Sequence, residues 1–311
     1  MSRSKLSFHI DCVPRPGAVE RIIKARPQVL FVTYALDVMN AVHRAVPGCK
    51  IIARDWKVGQ DFLSFIGSDD PKRAAQAWFD ALEPVMRQAK FAYWQSFNEM
   101  TTRGMIPAYA QFEYERQLIM GRYGYKACLF NWAVGTPEME DWKVCLPALR
   151  EADKQRSILG LHEYWPEAPW VWYGSNDAAA VREGRVVPFP EWYAEGWLFG
   201  RYRKVWRGVL LPAGLTHVPI VLTEMGCGAA VEGQPQYLDW KTSARYWGAA
   251  GKDPVQYYLQ QLSWCDRQMR YDPFVLGGCI FVWGTVGSLW LNFEIDGPVA
   301  DGVLEMIQNA S

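Results

Sequence analysis

The chain has 311 residues, half of them hydrophobic, enough to bury a large core in one α/β domain. Lys plus Arg and Asp plus Glu stand at 33 each, so no net charge draws the chain to nucleic acid, polyphosphate or an acidic membrane surface. Its longest apolar stretches are strand-length and broken by Gly, Pro or charge, too short to cross a bilayer.

Met1 to Lys5 runs straight into a strand-like Leu6–Asp11 with no signal-peptide apolar region between, so no export address is expected. Seven further β-rich runs follow, at Gln28–Tyr34, Cys49–Trp56, Phe91–Asn98, Tyr125–Trp132, Ser157–Tyr164, Pro219–Glu224 and Leu276–Trp283. They are nearly continuous apolar runs, as strands buried on both faces require. Helical patterns separate them. Over Asp70–Ala89 the apolar residues Ala74, Ala77, Trp78, Ala81, Leu82, Val85 and Met86 recur at helical spacing, with Asp70 placed as N-cap, Pro71 at the first turn and a kink expected at Pro84. Pro107–Tyr123, Gly196–Leu211, a segment opened by Asp253-Pro254 and the closing Val299–Ala310 read as helices by the same test.

Eight strand–helix units in this length predict a (β/α)8 TIM barrel occupying residues 1–311 as one catalytic domain. No Gly-rich turn follows the first strand, as a doubly wound dinucleotide-binding sheet would show. The longest irregular stretch, Pro166–Glu195, carries Trp170, Trp172, Tyr173, Phe189, Trp192 and Tyr193. A loop of that length is expected to wall a substrate cleft.

Active sites of such barrels lie at the C-terminal strand ends. There the sequence places His9 and Asp11, Arg54 and Asp55, Asn98-Glu99, Asn131-Trp132, His162-Glu163-Tyr164, Glu224 and Trp283. Two glutamates after the fourth and seventh strands can face each other across the mouth, and retaining glycoside hydrolysis needs two carboxyl groups about 5–5.5 Å apart. An Asn-Glu dipeptide alone says little; the joint placement carries the argument.

Trp94-Gln95-Ser96-Phe97-Asn98-Glu99 and Ile220-Val221-Leu222-Thr223-Glu224-Met225-Gly226 resemble the strand-4 and strand-7 motifs of clan A retaining glycoside hydrolases, the superfamily of cellulases and β-mannanases. The resemblance implies that Glu99 is the acid/base, Glu224 the nucleophile and Asn98 a donor to the sugar 2-hydroxyl. It also implies that His162 and Tyr164 match a strand-6 His-x-Tyr whose tyrosine bonds the nucleophile. Trp283 is similar to a strand-8 tryptophan that floors the central subsite, and Arg54 to an early-strand arginine beside the nucleophile. Asn131 and Trp132, ending the fifth strand, complete the expected substrate-binding set. Asp55-Trp56 matches no subfamily pattern, so sugar and linkage stay open. Glu99 is expected to have a raised pKa through the neighbouring charge of Glu224.

The expected partner is a β-linked oligo- or polysaccharide, and the 16 Trp, 15 Tyr and 14 Phe suit stacking on sugar rings as well as core packing. No metal or organic cofactor is expected. The four histidines, at 9, 43, 162 and 217, are scattered, with His43 on a helix, and no late strand ends in the lysine of a Schiff-base enzyme. Seven cysteines without C-x-x-C spacing read as buried thiols. The alternative from another class is a non-catalytic carbohydrate-binding barrel, against which both glutamates argue.

Overall fold

The computed structural model describes residues 3–59, 61–67, 70–170, 195–196, 198–228, 239–285, 287 and 290–309. Strands β1 (Leu6–Asp11), β2 (Val29–Thr33), β3 (Lys50–Arg54), β4 (Tyr93–Gln95), β5 (Lys126–Trp132), β6 (Ile158–Trp165), β7 (Ile220–Cys227) and β8 (Val275–Ile280) pair in that order. All pairs are parallel, and β8 returns to β1 through Leu6↔Gly278 to close the barrel. Between the strands run α1 (Ala18–Ala25), α2 (Leu36–Ala45), α3 (Phe62–Ile66), α4 (Pro71–Met86), α5 (Ile106–Arg122), α6 (Trp142–Gln155), α7 (Arg201–Val205), α8 (Trp240–Ala249), α9 (Pro254–Tyr271) and α10 (Gly297–Asn309). This is the (β/α)8 TIM barrel expected from the strand count. Among the described residues no helix is long and apolar enough to cross a membrane.

Helix starts follow their caps. The Asp70 carboxylate accepts the N–H groups of Lys72 and Arg73 with Pro71 in the first turn, and Asp253 accepts that of Gln256 ahead of α9, satisfying donors that helix ends leave unpaired. The expected helix over Gly196–Leu211 is shorter. Buried Glu163 points outward from β6 and accepts the N–H groups of Gly200 at 2.7 Å and Tyr202 at 2.6 Å, so α7 begins only at Arg201, and a π turn over Trp206–Leu210 follows it.

Strand side chains alternate between the helices and the barrel interior. Val29, Phe31, Ile52, Tyr93, Cys128, Ile158, Val221 and Cys279 form an apolar cluster of their own, apart from the larger one that joins sheet to helices. Two residues further along the strands, Phe31 gives way to Thr33, Ile52 to Arg54, Tyr93 to Gln95 and Val221 to Thr223, all buried. The interior thus turns from apolar to polar towards the C-terminal mouth.

β4 spans three residues instead of the expected Phe91–Asn98, so the chain carrying Glu99 leaves the sheet early. Fully buried Arg116 on α5 compensates. It donates to the carbonyls of Trp94 at 3.0 Å and Cys128 at 3.2 Å, and pairs with Glu113, which also takes the Ser96 hydroxyl. Arg116→Met strands the Glu113 charge, and unfolding in urea should show a loss of about 3–5 kcal/mol. A loss under about 1 kcal/mol would mean the pair is not what holds β4 in place.

Candidate active site

Glu224 is the focus of a converging set. It stands on β7, 5% exposed, where the Tyr164 hydroxyl of β6 donates to Oε2 at 2.8 Å and Arg54 Nη1 of β3 donates to Oε1 at 3.3 Å. Glu99 lies beyond β4 with a left-handed φ of 48° and a half-open side chain, 39% exposed; its N–H donates to the Asn131 carbonyl at 3.2 Å. A non-glycine residue in this region is uncommon, and such positions cluster at functional sites.

His162 bridges the two. Its Nδ1 is 2.8 Å from Glu99 Oε1 and 3.6 Å from Glu224 Oε2, and its Nε2 is buried without a hydrogen-bond partner, so Nδ1 carries its chemistry. One atom each from Glu99, His162 and Glu224 falls within 4.8 Å of the others. Asn98 completes the group: its Oδ1 accepts from Arg54 Nη1 and, at 3.2 Å, from Gln95 Nε2. Two donors on the oxygen leave the Asn98 NH₂ to donate outward.

Burial pushes the Glu99 carboxyl up, but the hydrogen bond and charge of His162, with the charge of Arg54, outweigh it and hold Glu99 below its ordinary value. The expectation of a raised Glu99 is therefore corrected: the group it touches is a histidine, not the other carboxylate. His162 moves the opposite way. Burial lowers it, and the charge of Glu224 together with the hydrogen bond and charge of Glu99 raises it above its usual value. Burial also pushes Tyr164 well up, helped by both carboxylates, so its hydroxyl stays a donor.

The structure brings together Arg54, Asn98, Glu99, His162, Tyr164 and Glu224. It does not bring Asn131, Trp132 or Trp283 to the mouth. A register shift in β5, with Phe130 at φ 66° and Asn131 at φ 51°, breaks the strand's alternation. Asn131 turns inward, fully buried, where its Oδ1 accepts the Thr223 hydroxyl at 2.8 Å. A Cβ at Gly160 would collide with that oxygen, so glycine makes the room. Asn131 thus supports both carboxylates from below, by its carbonyl to Glu99 and its side chain to the residue before Glu224. Trp132 is turned out onto Tyr109 and Trp142. Trp283 follows the end of β8 and faces Phe8 at 4.8 Å, with the Arg21 guanidinium of α1 over its ring.

The inward aromatic at that strand end is Phe281, against His9 at 5.0 Å and Tyr164 at 6.4 Å. The site-residue expectations also passed over His9. Its Nε2 meets the Thr33 hydroxyl at 3.0 Å, Nδ1 faces Glu224 Oε1 at 3.6 Å, and burial with the charges of Arg54 and His162 keeps it neutral. The two-residue step Ser7, His9, Asp11 was the signal that His9 points inward. Of the expected cleft wall, Trp170 packs on Tyr257 and Trp264 of α9 instead; Trp172, Tyr173, Phe189, Trp192 and Tyr193 lie outside the described residues.

The spacing of Glu99, His162 and Glu224 is small enough for a cation, but the Arg54 charge already shares the Glu224 carboxylate and His162 Nδ1 is committed to Glu99. The arrangement suits the movement of a proton better than the holding of a metal.

No protein-family model matches the sequence, and no curated protein does. Solved structures do match. The chain is similar to the β-glucuronidase from Ruminococcus gnavus (TM-score 0.57, 14% identity), over 99% of this chain and 50% of that one. It is similar to XacCel5A (TM-score 0.51, 9% identity) over 99% of both chains. A further match is a GH128 (subgroup I) endo-β-1,3-glucanase from Amycolatopsis mediterranei in complex with laminaritriose (TM-score 0.47, 14% identity), over 99% of this chain and 100% of that one. The likeness is one of fold. These neighbours are glycoside hydrolases, and this chain spans about half the length of the β-glucuronidase.

Proposed function

We propose that the protein is a retaining glycoside hydrolase acting on a β-linked oligo- or polysaccharide, with Glu224 as nucleophile and Glu99 as acid/base. One observation carries the reading: at the C-terminal mouth, Glu99 and Glu224 present oxygens within 4.8 Å of each other across a shared histidine. Retention places its carboxyl groups about 5–5.5 Å apart, whereas inversion separates them by about 6.5–9.5 Å to admit a water. Glycoside hydrolase neighbours on the same frame support the coarser reading of a glycosidase.

In the first step a Glu224 oxygen bonds to the anomeric carbon as the glycosidic C–O bond breaks and the leaving oxygen takes a proton from Glu99. In the second, water attacks that carbon, Glu99 takes its proton, and the Glu224 ester bond breaks. Tyr164 and Arg54 hold the nucleophile and stabilise the carboxylate when it leaves. The Asn98 amide is placed to donate to a sugar hydroxyl beside the reacting carbon. His162 keeps a proton within 2.8 Å of the oxygen that must deliver it.

The test is stereochemical. Proton NMR during turnover of an aryl β-glycoside or a β-glucan should show the β-anomer as the first product, the α-anomer appearing only by mutarotation. An α-anomer formed first would end the retaining assignment, and binding without turnover of any glycan would leave a carbohydrate-binding barrel.

A further inference from the structure

Five large aromatic side chains among the described residues are exposed: Tyr34, Tyr123, Tyr246, Tyr271 and Trp290. Tyr123 follows the end of α5 and Tyr271 ends α9, both at the barrel end remote from the carboxylates, and Tyr246 lies within α8. Tyr34 and Trp290 follow β2 and β8 on the mouth side, and both have left-handed backbones, with φ of 63° and 64°. A bulky residue in this region is a conformational outlier, held only where its surroundings impose it.

Trp290 is connected to the catalytic pair. Its indole meets Phe281 edge-on at 5.5 Å and Phe293 at 6.0 Å. Phe281 in turn packs on His9 and Tyr164, and Phe293 on Tyr164 at 6.3 Å. Trp290 therefore stands one aromatic layer outside the residues that surround Glu224. Its turn is fixed: the Trp290 carbonyl accepts the N–H groups of Phe293 at 2.9 Å and Glu294 at 3.2 Å. The buried Glu294 carboxylate binds Arg15 after β1 and the Gly284 N–H at 3.1 Å. Yet the indole at the end of this support is 44% exposed. A packing role would bury it; a rigid, open apolar face next to a carbohydrate-cleaving centre fits the C–H face of a pyranose ring.

We propose that Trp290 is a stacking platform for a pyranose unit on the non-reducing side of the sugar that Glu224 attacks. This rests on the glycosidase reading. The side follows from the contacts: the ring layer beneath Trp290 surrounds the nucleophile, which bonds to the glycone, and Glu99 serves the leaving group. The ligand class is a β-linked glycan with at least two units before the scissile bond, and Trp290 selects for chain length.

Wild type, W290A, W290F and Y271A are compared on cellohexaose, laminarihexaose and mannohexaose and on the corresponding aryl monoglycosides, with thermal melting to check folding. On whichever hexasaccharide is cleaved, the ratio of kcat/KM for hexasaccharide over aryl monoglycoside should fall about tenfold in W290A, the scale of uncovering one aromatic face. It should recover in W290F and stay unchanged in Y271A. The bond cleaved in the hexasaccharide should also shift. An unchanged ratio in W290A overturns the platform and leaves the glycosidase reading intact. If the wild type cleaves nothing, calorimetric titration of the same hexasaccharides separates the two ideas: binding weakened about tenfold in W290A keeps the platform without catalysis, and binding absent or unaltered by W290A overturns it.

Discussion

Glu224→Ala is expected to abolish turnover of every glycoside, on the order of 10⁵-fold in kcat, the scale of a lost nucleophile. Glu99→Ala should behave differently, because the two steps need it unequally. Oligosaccharides with poor leaving groups should lose on the order of 10²–10⁴-fold, the range of a general acid. An aryl glycoside with an acidic phenol needs no protonation, so it still esterifies Glu224. Deglycosylation then stalls for want of a base, and a burst of phenol followed by a slow steady state is the expected trace. Mass spectrometry should find the accumulated sugar on the peptide containing Glu224. Azide attacks without a base, so it should restore turnover of Glu99→Ala and yield a glycosyl azide of retained configuration. Rescue of Glu224→Ala with a retained product would reverse the assignments, and full activity in both variants would place the chemistry elsewhere.

The parts of this site that were readable in the sequence are those dictated by local pattern. Parallel strands buried on both faces must be apolar runs, so all eight were found, and the last residues of each were the place to look for chemistry. Arg54, His162, Tyr164 and Glu224 meet at those strand ends, and Asn98 and Glu99 join them from the segment just beyond β4. What escaped depends on departures from alternation. The register shift at Phe130 and Asn131 exchanges the faces of Asn131 and Trp132, and no composition signal marks it. Phe281, two residues past the inward Cys279, keeps the alternation and takes the inner position, whereas Trp283, beyond the end of β8 at Ile280, turns onto Phe8, so the resemblance to a strand-8 tryptophan pointed to the wrong aromatic. Glu163 stands between two site residues and yet points outward to start α7. The sign of the Glu99 shift was unreadable for another reason: it is set by a histidine 63 positions away in sequence, and only folding decides whether a carboxyl's nearest charged group is its rival or its partner.

That partner yields the second large expected effect. His162 Nδ1 lies 2.8 Å from Glu99, with the imidazole pushed up by Glu224 and Glu99 and the carboxyl held down by His162, so the two are expected to share one proton across that contact. The pair titrates as a unit, and loss of its proton should set the basic limb of kcat/KM. The groups facing His162 are Glu99, Glu224, Arg54 and the Tyr164 ring, with neutral His9 on the far side of Glu224. His162→Asn retains a hydrogen-bond donor but cannot hold that proton. Glu99 is then released from the contact that keeps it down and rises under burial, but the Arg54 charge still opposes the rise. A lone carboxyl therefore gives up its proton at lower pH than the imidazole–carboxyl pair. The basic limb should move to lower pH, and kcat/KM at pH 8 for an oligosaccharide should fall on the order of a hundredfold, the scale of a missing general acid. Near pH 5 the loss should be smaller, because Glu99 can then be protonated without help. An aryl glycoside with an acidic phenol should show little of this pH-dependent loss in kcat/KM, since its departure needs no proton. A basic limb unmoved in His162→Asn would put the proton on Glu99 alone and reduce His162 to orienting it, whereas an equal loss at every pH and for every leaving group would mean that the substitution displaced Glu224 itself.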